Sequence, residues 1–139
     1  MELQKASLTN LENLEEVSVQ WNPERYSLSR VSELVAPRVL GEPLSPIPGF
    51  GGGSREFVSD LLLDTTRSPE GERDLRPLAD RIESWMDARP GEPGVPQRVV
   101  FSWGSFRFRG VLSSLKQVWT RFDRDGTPVR GWLRLTLRS

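Results

Sequence analysis

The sequence predicts a mainly-β, α+β domain: an antiparallel β-barrel or sandwich with one flanking helix and one long loop rich in proline and glycine. Three observations carry this. Apolar and polar residues alternate through much of 97–139, with abundant β-branched and aromatic types, the period-two pattern of half-buried strands. A single stretch, 74–88, spaces its apolar residues by three and four instead. Between them, 35–55 breaks into proline and glycine. A helix with one apolar stripe needs a sheet to cover it, and the strand-rich remainder supplies that sheet.

Taken in order, 2–8 reads as a short, weakly patterned strand that ends in polar Thr9–Asn13. In 15–21, Val17, Val19 and Trp21 alternate with Glu16, Ser18 and Gln20, which predicts a second strand with the first set facing the core. Asn22-Pro23 stops it, because proline removes a ladder donor and biases the preceding residue. Tyr26, Leu28 and Val31 suggest a further extended segment. The 35–55 excursion carries Val39, Leu40, Leu44, Ile47 and Phe50, so it is expected to dock on something, and loops of this length are usually functional or disordered. Gly51-Gly52-Gly53-Ser54 is read as a hinge, since no Gly-Lys-Ser/Thr follows to make a phosphate loop.

The stretch 56–64 makes another strand, central in its sheet because its end is apolar on both faces. After a polar turn at 65–71, Asp74 is expected to cap the helix, with Leu75, Leu78, Ala79, Ile82, Trp85 and Met86 buried. Pro77 is tolerated in the first turn. Ala88-Arg89-Pro90-Gly91 ends the helix, and 92–96 links it to the 97–139 meander. There, Asp125-Gly126 supplies the positive φ values of a tight hairpin turn. Beyond it, Leu133, Leu135 and Leu137 face the core and Trp132, Arg134, Thr136 and Arg138 face away.

The 139 residues suffice for one core and one domain, 1–139. No apolar run approaches the ~20 residues of a membrane span. The acidic start lacks the regions of a signal peptide, which predicts synthesis and assembly in the cytoplasm without membrane insertion. The chain has no cysteine and no histidine. Thiol nucleophiles, Ser-His-Asp triads, imidazole acid-base chemistry and His/Cys zinc sites are therefore excluded. Carboxylates alone remain, as Glu15-Glu16 or Asp60/Asp64, and neither pair sits in a catalytic motif. No catalytic, cofactor-binding or metal-binding residue is assigned. Asp123-Arg124-Asp125-Gly126 lacks the further ligands of a calcium loop and reads as a hairpin turn.

Net charge is zero but uneven: 97–139 holds 2 acids and 9 bases, against 17 acids and 10 bases in 1–96. Acidic and basic faces can neutralise each other within one fold, or complement each other between copies. A nucleic-acid patch is disfavoured, because the arginines alternate with core residues along strands. Among the tryptophans, Trp21, Trp85 and Trp103 are expected in the core. Trp119 and Trp132 fall opposite Val118/Phe122 and Leu133/Leu135, which would project them toward a partner.

Four segments in order, 19–28, 61–65, 101–112 and 125–130, resemble the successive motifs of the contractile injection system tube-domain family, found in phage-tail-like particles such as antifeeding prophages and Photorhabdus virulence cassettes. The matching positions include Asn22, Pro23, Tyr26, Asp64, Trp103, Gly104, Gly110, Asp125, Gly126 and Arg130, and with Trp119 and Trp132 these are the assembly candidates. Trp21 stands where that family usually has Phe. The resemblance implies a tail-tube-type β-barrel that assembles as a homo-hexameric ring in the baseplate. Tube proteins and the spike or hub protein would then be its partners, with sheath or baseplate wedge proteins beyond them. The main inner-tube protein of the same particle is the alternative, and a soluble glycan-binding module using the tryptophans is a reading from another class. Family members often carry a LysM-like module after the tube domain; this sequence reads to Ser139, and no adaptor role is assigned to it.

Overall fold

The computed structural model describes residues 3–32 and 54–139; most of the predicted excursion, with its glycine run, lies outside the described residues. Among the described residues the order is β1 (Ser7–Asn10), β2 (Glu16–Ser18), β3 (Tyr26–Arg30), β4 (Arg55–Asp64), α1 (Arg76–Ser84), β5 (Ala88–Arg89), β6 (Glu92–Pro96), β7 (Val99–Trp103), β8 (Phe106–Phe122) and β9 (Pro128–Arg138). Seven strands form one antiparallel sheet in the order β2-β1-β7-β8-β9-β4-β3, and β5-β6 is a separate hairpin.

The 17-residue β8 is shared by both halves of the sheet. Its first part pairs with β7, from Val99↔Gly110 to Trp103↔Phe106. Its second part pairs with β9, from Val111↔Arg138 to Phe122↔Pro128. The sheet curls about this strand until its inner faces meet, with the Phe57 ring of β4 lying 4.5 Å from that of Phe101 on β7. The core is Leu8, Val17, Phe57, Leu61, Phe101, Phe108, Leu133, Leu135 and Leu137, closed by Leu75, Ala79, Ile82 and Trp85 from the helix region. The β9 alternation is as the sequence predicts.

Several local expectations are corrected. The first strand begins later, and its supposedly polar end is inside: Asn10 is fully buried. Its Nδ2 donates to Gln97 Oε1 at 2.6 Å, and Gln97 Nε2 donates to the carbonyls of Ser84 and Asp87. This polar bridge ties β1 to the chain just beyond the helix, adding to the bond that the Ser84 carbonyl already accepts from the Asp87 amide. The helix stops at Ser84, Met86 is exposed, and 88–96 is a hairpin turning at Pro90-Gly91, with Gly91 and, inside β6, Gly94 at positive φ. Asp74 lies one residue outside the N-cap, Leu75; its Oδ1 accepts from the Arg76 amide at 3.0 Å. In the 123–127 turn only Gly126 has positive φ. Gly126 N donates to Asp123 O and Asp123 N to Thr127 O, a longer turn than the two-residue type expected. β4 is internal, between β3 and β9, but its outer face is open, with Leu62 exposed.

The tryptophans show the largest correction. A bulge at Leu112/Ser114 inserts one residue into β8, so inward positions pass from Phe108 and Leu112 to Leu115 and Trp119. Trp119 therefore packs against the core, while Phe122 is exposed. Trp21 is also misread: it lies beyond the end of β2 and is 46% exposed. Trp85 is buried and Trp103 packs against the core, as expected.

Candidate assembly surface

The outer face of β4 and β9 is a cross-strand ladder. Glu56, Val58, Asp60, Leu62 and Asp64 stand opposite Arg138, Thr136, Arg134, Trp132 and Arg130. Every second rung is ionic. Arg134 Nε donates to Asp60 Oδ1 at 2.8 Å and Nη2 to Oδ2 at 3.1 Å. Arg138 Nη2 donates to Glu56 at 3.0 Å, and Arg130 Nε lies 3.7 Å from Asp64 Oδ2. Arg98 reaches Glu12 in the same manner at 2.9 Å. At these positions the uneven charge of the sequence is matched inside one chain. Of the nominated carboxylates, Asp60 and Asp64 are engaged as above and Glu15 pairs with Arg81, while Glu16 is exposed on β2.

Between the ionic rungs sits an apolar interruption. Leu62 is 44% exposed and faces Trp132 across the strands. The Trp132 ring is flanked by Arg134 at 5.4 Å and Lys116 at 5.8 Å, within cation–π range. Alongside, residues 21–25 bound a groove of about 710 Å³ whose lining includes Trp21, Pro23, Arg25, Asp60, Leu62 and Trp132. Strand parity explains why the groove stays open. Arg55 and Ser139 exchange both backbone bonds, while Val31 N donates to Ser54 O. Odd residues of β4 thus bond β9, and even residues face β3. β3 pairing ends at Tyr26↔Ser59, so the backbone of Asp60 and Leu62 has no strand beside it among the described residues. Pro23 lacks the amide that would continue the ladder. At Asp64 the Gln20 side chain substitutes for a strand, donating to its carbonyl at 2.6 Å and accepting from its amide at 2.8 Å.

Most motif positions hold the fold. Asn22 Oδ1 accepts from Ala6 N and its Nδ2 donates to Gln4 O; Pro23 is buried. Trp103 Nε1 donates to Gln4 O. Tyr26 stacks on Phe106 at 4.7 Å. Gly104 turns β7 into β8 at φ +58. A Cβ at Gly110 would lie 2.6 Å from Arg138 O. Asp64 Oδ1 accepts from Thr66 Oγ1 at 2.6 Å and from its amide at 2.8 Å. These bonds, and after them Arg130, hold its carboxyl below the usual aspartate range. Asp125 is lowered similarly by Thr127. Of these positions Tyr26, Gly104, Asp125, Gly126 and Arg130 are exposed, and Trp132 is half-buried on the outer face of β9. Sequence reasoning missed Leu62, whose outward exposure follows from strand alternation, and Gln20, whose clamp on Asp64 leaves no sequence signal.

The family described as contractile injection system tube protein matches residues 2–139. The chain belongs to that family. It is therefore a structural protein of a contractile injection system, assembling with other components of a phage-tail-like particle. No curated protein matches the sequence. Among the described residues no helix of this tube-family chain is long and apolar enough to cross a membrane.

Proposed function

We propose that six copies form a ring in the baseplate of the particle, joining the inner tube to the spike hub without catalysis. The observation that supports ring formation is β3. All five of its residues are exposed, and its second backbone edge, at Tyr26, Leu28 and Arg30, has no strand beside it among the described residues. Leu28 stands opposite Phe57 on the core-facing side, yet is 45% exposed. An open, apolar edge strand is a liability in a solitary subunit and an asset in an assembly. Electron microscopy of the purified protein tests this: rings with a central opening are expected, and Leu28→Asp should abolish them while the monomer still folds. One ring per particle is the expected count. Many stacked rings would favour the main inner tube, the reading that the family description itself favours. A glycan platform finds little support, because Arg134 and Lys116 already occupy the surroundings of the Trp132 ring.

A further inference from the structure

We infer that the side-chain amides of Gln20 and Asn22 form a junction that fixes the register of β3, and so decides which side chains its open edge presents to a neighbouring copy. This deepens the ring reading and rests on it for its consequence. A strand with one buried face holds its register because a one-residue slip would carry that face into water. β3 lacks such a hold: all five residues are exposed, with Tyr26 at 37% and Leu28 at 45% on its inward side. The bond from Val31 N to Ser54 O continues the same ladder and would slip with it. The Tyr26 ring packs on Phe57 and Phe106, which favours the observed register from the first residue of the strand alone.

The junction lies just upstream. Asn22 Oδ1 accepts from Ala6 N at 2.9 Å and its Nδ2 donates to Gln4 O at 2.8 Å, which ties the chain to the lead-in of β1. Gln20 ties the same chain to β4 through its two bonds to the backbone of Asp64. Among the described residues no backbone hydrogen bond joins 3–22 to β4, so this side chain stands where a strand would. Gln20 and Tyr26 therefore meet β4 five residues apart, at Asp64 and Ser59, about 17 Å along the strand. Six residue steps connect them, and these span at most about 22 Å. A two-residue slip toward Arg55 would preserve the faces of β3 but needs about 24 Å. The clamped chain is too short for it. Without the clamp that limit is gone, and the slip would move Leu28 from beside Phe57 to beside Arg55, removing the apolar contact that the proposed ring uses.

The absence of native cysteine lets register be read by disulfide trapping. Ser27→Cys with Val58→Cys reports the observed register, and Ser27→Cys with Glu56→Cys the slipped one, each pair at a cross-strand spacing that a disulfide accepts. In the parent background, mild oxidation of the free subunit is expected to link the first pair. Adding Gln20→Ala and Asn22→Ala should raise linkage of the second pair about tenfold. No rise, in protein whose core Leu135 amide stays protected from hydrogen exchange, would overturn the inference. Gln20→Glu provides the test if the double variant fails to fold. Near neutral pH its carboxylate accepts from Asp64 N but cannot donate to Asp64 O, whereas the protonated acid does both. Relative to the parent, the Asp64 amide should lose protection near neutral pH and regain it toward about pH 4; equal protection at both would overturn the clamp. Electron microscopy then separates the two readings. Parent protein that forms no rings removes the ring reading and leaves the register result standing. Rings assembled at the parental concentration by the slipped variant would overturn the link between register and assembly.

Discussion

At the scale of single residues, the family-motif positions act mainly through backbone geometry. Gly131 shows how narrowly: a Cβ there would overlap the Val118 carbonyl oxygen and approach Trp119 Cε3 to 2.6 Å. Gly131→Ala should therefore cost about 3 kcal/mol, the upper end for forcing atoms into a packed site, read from the urea midpoint. Adding Trp119→Ala should not restore it, because the backbone oxygen stays in place. Asp64 supplies a pH test. Thr66 lowers its folded pKa below the unfolded value of about 3.9, so its contribution is present above that value and lost as pH falls through the folded one. Unfolding midpoints should drop as pH falls below that unfolded value, and Thr66→Ala should flatten that slope. Residue-level chemistry was only partly legible in the sequence. Asn10 and Gln97 read as surface polar residues, and only their approach across the fold makes them a buried pair.

At the scale of elements, periodicity located the helix and the four strands with a buried face of several residues, because burial on one face is what period records. It failed where pairing, not burial, defines the element. The β5-β6 hairpin exposes nearly all its residues, so no alternation marks it and its prolines and glycines read as a link. The β8 bulge is the other failure. Strict alternation from Phe108 predicts Val118 inside and Trp119 outside; one extra residue near Ser113 reverses this as far as Trp119, beyond which the register shifts again. Deleting Ser113 should restore the simple pattern and so turn Leu115 and Trp119 away from the core, since a one-residue slip exchanges the faces. The expected outcome is loss of cooperative thermal unfolding. A deletion variant that melts as sharply and as high as the parent would show that the bulge does not set the phase.

At the scale of the whole molecule, the sequence displays an acidic front and a basic end but not whether they meet within a chain or between chains. The cross-strand ladder answers for β4 and β9: Asp60 and Arg134 are bidentate partners, and Glu56 and Arg138 pair beside them. Both members of the Asp60–Arg134 pair are close to half exposed, and exposed pairs contribute about 0–1 kcal/mol. The ladder therefore selects register and solubility more than it stabilises, and in the proposed ring the exposed apolar side chains Leu28 and Leu62 would be left to drive association. Exchanging the pair, Asp60→Arg with Arg134→Asp, separates these roles. If the ladder serves its own chain, the exchanged protein recovers the pairing, keeps its melting temperature, and forms rings at the parental concentration and salt. If instead these charges face a neighbour, each exchanged residue meets a like charge across the interface, and rings should fail in low salt and recover as salt screens the repulsion. Ring counts by electron microscopy across a salt series distinguish the two, with insensitivity to both exchange and salt as the expected result.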